Sequence, residues 1–133
     1  MPTFEDVAQM ASALPDVTEA EHRGLRRWLV AGKMFAWERP YTKADIKRFG
    51  KEAPPDGPLL AVRVEDLHDK EAVLASGIKG VFTMAHFDGY PSVLIQLNKV
   101  GKRALKNAML DAWLAMAPPA TAEAYLKKRG PLK

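Results

Sequence analysis

The chain contains no cysteine, which excludes disulfides, thiolate catalysis and cysteine-held zinc or iron–sulfur sites. It has no apolar run near the ~20 residues that a spanning helix needs. Its opening, MPTFEDVAQM, is acidic and amphipathic rather than built like a signal peptide. These absences predict a cytoplasmic protein without a membrane segment. Histidine is scarce: His22, His68 and His86 stand apart, without the spacing of an HExxH metal site. No glycine-rich phosphate loop and no internal repeat occurs. Ser92 lies near His86, but no nucleophile elbow surrounds it. The carboxylate pairs Glu19 with Glu21 and Asp66 with Asp69 are of the kind that any acidic surface provides. The expectation is a non-enzymatic protein with no metal and no cofactor.

What is present suits one globular domain. The chain has 133 residues, 47% hydrophobic and 27% charged, enough for one core and too few for two. The formal net charge is +4 and the pI about 9.4. Its distribution is uneven: residues 1–21 and 52–71 are net acidic, 22–51 and 99–133 net basic, and 72–98 balanced. If the fold joins the two basic blocks, they make a patch that attracts phosphates; otherwise they are solvated faces.

The stretch VFTMAHFDGYPSVLIQL, residues 81–97, predicts the centre of a sheet: two strands folded back about an Asp88-Gly89 turn. Val93, Ile95 and Leu97 alternate with Ser92, Leu94, Gln96 and Asn98, so one face is core and the other mostly wet. Pro91 suits the first position of the returning strand.

Thr3 with Asp6 marks a capped helix over about residues 4–14, ended by Pro15. Residues 16–25 read as a loop or an irregular edge strand. RRWLVAGKMFAWER predicts a second hairpin about Ala31-Gly32-Lys33, with Arg26, Trp28 and Val30 sharing a face of its first strand and Lys33, Phe35, Trp37 and Arg39 sharing a face of its second. A short basic helix follows, capped by Thr42 and Asp45, stapled by Tyr41 and Ile46, and carrying Lys43, Lys47, Arg48 and Lys51. LLAVRV forms the next strand, with Arg63 opposite its most apolar row. Asp66 or His68 opens a short helix through Ala75. Leu105, Ala108, Met109, Ala112, Trp113 and Met116 form the apolar stripe of the strongest helix. Lys99, Lys102, Arg103 and Lys106 sit at its start, the wrong end for the helix dipole. A short helix through Tyr125 and Leu126 and a frayed basic end, KKRGPLK, complete the chain.

The expected fold is α+β: a two-layer domain, a largely antiparallel sheet with helices on one face, in the order α-β-β-β-α-β-β-α. Residues 1–118 form the domain and residues 119–133 a basic tail.

The ordered segments ALPDV, WLVAGKMFAWERP, DGPLLAVRV, VFTMAHFDGYPSVLIQL and DAWLAMAP resemble the MmcQ/YjbR family over roughly residues 4–118. The resemblance implies a compact double-wing, YjbR-like fold, related in outline to secretion-chaperone-like domains, and a DNA-binding label. The positions that match the family's pattern are Gly32, Lys33, Phe35, His86, Gly89, Tyr90, Pro91 and Trp113. It supplies no catalytic motif.

Three functional classes follow. A nucleic-acid-binding domain would use Arg26, Arg27, Lys33, Arg39, Lys47, Arg48, Lys102 and Arg103 for largely sequence-independent phosphate contacts, with DNA as the partner. A small-molecule-binding protein would use a pocket lined by Trp28, Trp37, Tyr41 and Tyr90, with His86 and Tyr90 at a contact surface. A chaperone-like protein-interaction module would use an open sheet face.

Overall fold

A computed structural model describes residues 1–129. The elements are α1 (Phe4–Ser12), β1 (Val17–His22), β2 (Leu25–Val30), β3 (Lys33–Glu38), α2 (Lys43–Phe49), β4 (Leu59–Arg63), α3 (Leu67–Ala75), β5 (Val81–Phe82), β6 (Ser92–Gln96), α4 (Lys102–Met116) and α5 (Pro119–Arg129). The strands form one sheet in the order β1-β2-β3-β4-β6-β5, with every neighbouring pair antiparallel. This is the expected α+β domain. To the expected order it adds β1, α2 and α5, in the stretches read as an edge strand or loop, a basic helix and a tail helix.

Local chemistry starts the helices where the sequence places the caps. Thr3 and Asp6 close a capping box at α1, and Thr42 and Asp45 close another at α2. Asp66 accepts the Asp69 amide at 2.7 Å to open α3. The staple at α2 does not form: Ile46 is 51% exposed, and Tyr41 meets Phe49 edge-on instead. Phe49 lies one helical turn from Ile46 and faces the sheet, so the tyrosine finds its apolar partner there.

The main core lies between the sheet and the layer of α1 and α4. Trp28, Val30, Phe35, Leu60, Val62, Val93, Ile95 and Leu97 meet Val7 and Ala11 of α1 and Leu105, Met109, Ala112 and Trp113 of α4. The α4 helix lies chiefly over β3 and β4. Trp113 is fully buried; its indole N–H donates to the Pro15 carbonyl at 3.0 Å, and its ring packs on Tyr125 of α5 at 5.1 Å. Part of the stretch assigned to the tail therefore packs on the domain. Residues 130–133 of the basic end lie outside the described residues.

Two expectations about strand faces are corrected. In the β2–β3 pairing Trp28 stands opposite Ala36 and Leu29 opposite Met34, so Phe35 has no partner and forms a bulge. Phe35 stays in the main core, whereas Trp37 turns to the other face of the sheet. The outer face of β6 is not wet either, because every residue from Ser92 to Gln96 is buried. The connection over residues 83–91 is longer than a tight hairpin. It contains one turn of 3-10 helix at Ala85–Phe87 and folds back over that face.

Trp113→Ala is expected to destabilise the domain by ~3–5 kcal/mol, the range for emptying an aromatic core site. A denaturant melt checks this; a loss under about 1 kcal/mol would mean that the core tolerates the cavity.

Candidate functional site

The bulge at Phe35 builds the face opposite α4. It places Trp37 beside Arg27, and the same row continues through Ala61 and Leu94 to Phe82. Over β4 and β6, Met84 and Phe87 of the 83–91 connection pack on Ala61 and Leu94, with Tyr41 and Phe49 beside them. Over β2 and β3 the face is more open, and Arg27, Leu29, Met34 and Trp37 are half-buried. The result is a run of rings: Trp37 to Phe87 at 6.4 Å, Phe87 to Tyr90 at 5.8 Å and Phe87 to His86 at 5.8 Å.

Arginines alternate with these rings. The Arg39 guanidinium stands 5.8 Å over the Phe87 ring. That of Arg63 stands 5.0 Å over Tyr90 and donates to its hydroxyl at 3.0 Å. The Nε–H groups of Arg27 and Arg63 are buried without a protein acceptor among the described residues. His86 and Tyr90 are exposed on the turn, and Arg48 lines the same small crevice as His86.

Two buried charged groups fix this surface. The Lys70 ammonium of α3 donates to the carbonyls of Phe87 at 2.5 Å and Tyr90 at 2.9 Å, tying the turn to the body of the domain. Burial pushes its pKa down, against the opposing pull of Asp88. On the other side Asp45 is buried, accepts from Arg39 at 2.9 Å and from the Thr42 amide at 2.9 Å, and lies 3.5 Å from Arg48. Burial raises its carboxyl, but the Thr42 amide and the Arg39 guanidinium outweigh it and hold the pKa below the usual carboxylate range. Tyr41 donates to the Pro55 carbonyl at 2.6 Å. Burial first, then the charges of Asp45 and Asp56, push its pKa up to about 12.

The residues singled out from the sequence divide by face. Arg27, Arg39, Arg48, Trp37, Tyr41, His86 and Tyr90 belong to this surface, and Lys47 lies exposed on α2 next to it. Arg26 does not: its guanidinium is held by Glu5 at 2.6 Å and Glu19 at 3.0 Å on the α1 side. Trp28 is 1% exposed in the main core, its indole N–H on Glu19 at 2.9 Å, so the aromatic pocket expected around it is not formed. Lys33 is exposed at the β2–β3 turn. Lys102 lies 3.6 Å from Asp6 of α1, which answers its placement at the wrong end of the helix dipole, and Arg103 is its exposed neighbour. The two basic blocks therefore lie in different layers. Sequence reasoning missed Phe87 and Lys70 entirely. A lysine in a weakly amphipathic helix reads as solvated, and nothing in the sequence signals its two carbonyl partners.

The fold and this surface define an antiparallel α+β domain with an arginine–aromatic sheet face. The chain is 40% identical over 134 residues to uncharacterized protein Rv2570 of Mycobacterium tuberculosis and to uncharacterized protein Mb2600 of Mycobacterium bovis, covering 98% of this chain and 100% of each relative. It belongs to the family of these mycobacterial proteins. No family model and no solved structure matches it. Among the described residues no helix is long and apolar enough to cross a membrane.

Three substitutions test the scaffold of the site. Gly89 has φ +72 and open space around a would-be Cβ, so Gly89→Ala should cost about 1 kcal/mol from backbone strain alone. His86→Ala should leave a denaturant melt almost unchanged. Asp45→Asn should destabilise by about 1–3 kcal/mol at neutral pH by leaving Arg39 without its carboxylate. Because the folded pKa of Asp45 lies below its unfolded value of ~3.9, its stabilisation is complete above that value and lost as pH falls through the folded pKa. The Asn variant should accordingly show a shallower acid limb in melts taken across pH.

Proposed function

We propose that the chain is a non-enzymatic, cytoplasmic, MmcQ/YjbR-like nucleic-acid-binding protein, and that it binds through the sheet face opposite α4. The observation that carries this reading is the placement of Arg27 beside Trp37 and of Arg63 over the exposed Tyr90 on one sheet face, supported from within by the buried Phe87 and by Arg39, which Asp45 holds. Stacking on an aromatic ring accepts any base, and guanidinium groups between the rings match phosphate oxygens bidentately. Lys47 and Arg48 extend the positive charge along α2.

The surface suits single strands better than duplex. Trp37 and Tyr90 lie on the sheet and its turn, where unstacked bases reach them, and α2, the helix beside this face, is only 7 residues long and packs its Phe49 onto the sheet. Arg26 and Lys102 take no part, since intramolecular carboxylates hold both. Contacts of this kind are largely independent of sequence.

Labelled single-stranded and duplex oligonucleotides, titrated across a salt series, test the proposal. Single strands should bind tighter, and log K should fall with log salt by ~0.7 for each phosphate contacted. Arg27→Glu with Arg63→Glu should weaken binding and flatten that slope, while Lys102→Glu with Arg103→Glu changes both little. Tyr90→Ala, at an exposed position, should cost about 1–3 kcal/mol of binding. Affinity that ignores salt and the face variants would sink the proposal.

A further inference from the structure

A second feature lies on the opposite side of the sheet. Between β4, β5 and β6, α3 and α4 is a cavity of about 270 Å3. Its floor is Val62, Val64, Val93 and Ile95 of the sheet, and Val73 of α3 closes one side. The roof is α4, which here presents Ala104 and Ala108, one helical turn apart. The large residues of α4, Leu105, Met109 and Trp113, point instead into the main core. Two alanines where leucines would fill the space leave the cavity, and an apolar space of ~150 Å3 already holds a benzene ring.

The polar groups of the lining are two carboxylates, one amide and the side chain of Arg63. Asp69 of α3 and Asp111 of α4 both line the cavity, with Asn107 beside them. Neither carboxylate has a cationic partner among the described residues. The nearby cations are spoken for: Arg63, which also lines the cavity, directs its guanidinium to Tyr90, and the Lys70 ammonium is held by the Phe87 and Tyr90 carbonyls. Asp111 lies exposed at the rim of the cavity; partial desolvation and then the charge of Asp69 push its carboxyl up, a cost that a nearby cation offsets.

We infer that this cavity is a binding site for a small apolar amine: an aromatic ring or short alkyl group occupies the valine-lined interior, and its ammonium sits between Asp69 and Asp111. Ligand sites are typically apolar enclosures with a few convergent polar groups, and ~300 Å3 is the small end of their range. Arg63 borders both this cavity and the arginine–aromatic face, but the inference does not depend on the nucleic-acid reading.

The test uses phenethylamine as the probe, with phenethyl alcohol and hydrocinnamate as its neutral and anionic counterparts. Each is titrated into the full-length protein while backbone amide shifts are followed by NMR. Phenethylamine should bind at least about tenfold tighter than either counterpart, with the shifts centred on Val73, Val93, Ala104 and Ala108. Ala108→Leu fills the interior and should abolish binding. Asp111→Asn leaves the shape intact and should bring the amine to within about threefold of the alcohol. Shifts centred elsewhere, no binding at millimolar probe, preference for the alcohol or the anion, or unchanged amine binding in folded Ala108→Leu or Asp111→Asn would each overturn the inference.

Discussion

A strand that is buried on both faces has to be covered twice, and β6 imposes that requirement on this fold. Its neighbour β4 is nearly as enclosed. One cover is the helical layer, which brings Leu105, Met109 and Trp113 to the sheet. The other is an irregular segment, residues 83–91, whose Met84 and Phe87 land on Ala61 and Leu94. A helix satisfies its own backbone as it packs, but an irregular segment does not. It bonds to itself only in part: the Tyr90 amide donates to the Phe87 carbonyl and the Ser92 amide to the Tyr90 carbonyl, and each of these carbonyls accepts a second donor. Lys70 supplies both from α3. A buried ammonium is costly by itself, and here two carbonyl contacts offset that cost while fixing the turn in place. Gly89 provides the positive φ that lets the chain return to β6.

The same bookkeeping of charges separates structural arginines from available ones. Arg26 joins α1 to the edge strand β1 through Glu5 and Glu19, and Glu19 also receives the Trp28 indole, so this cluster closes the acidic N-terminal region onto the first basic block. The hydrogen bond from Arg26, joined by that from Trp28, keeps the Glu19 carboxyl low despite partial burial. Lys102 joins α4 to α1 in the same way through Asp6. These pairs are largely exposed and contribute little stability each. Their larger effect is on the surface, because they occupy Arg26 and Lys102 with carboxylates of α1 and β1. A charge block in the sequence thus tells less than the list of carboxylates it folds against.

Much of the fold was legible because local signals agreed with the tertiary outcome. The two Thr-Asp capping boxes, the Asp66 cap, the strand LLAVRV and the apolar stripe of α4 all appear where their patterns put them. For the caps the deciding interaction lies within three residues along the chain, and for the strand and the stripe the apolar pattern itself lies within one element. The partners that were not legible are distant in sequence: Lys70 with Phe87 and Tyr90, Arg26 with Glu5, Trp113 with Pro15. The wet face assigned to β6 failed for the same reason. Leu94 and Ser92 alternate like an exposed row, and only the return of residues 83–91 buries them.

The site was half legible, and the missing half turns on a single residue. With an unbroken β2–β3 ladder, Phe35 would oppose Trp28 and Trp37 would oppose Arg26, placing Trp37 on the helical side of the sheet. The bulge at Phe35 shifts the rest of β3 by one position, and a shift of one reverses the face of every later side chain. Phe35 keeps its place in the core. Trp37 moves beside Arg27, within reach of Phe87, and Arg39 follows to meet the Phe87 ring and Asp45. Alternation read along the sequence groups Phe35 with Trp37 because it counts residues, whereas the sheet counts paired residues. Every aromatic–arginine contact of β3 on the open face therefore depends on one unpaired residue that leaves no mark on the hydrophobic pattern.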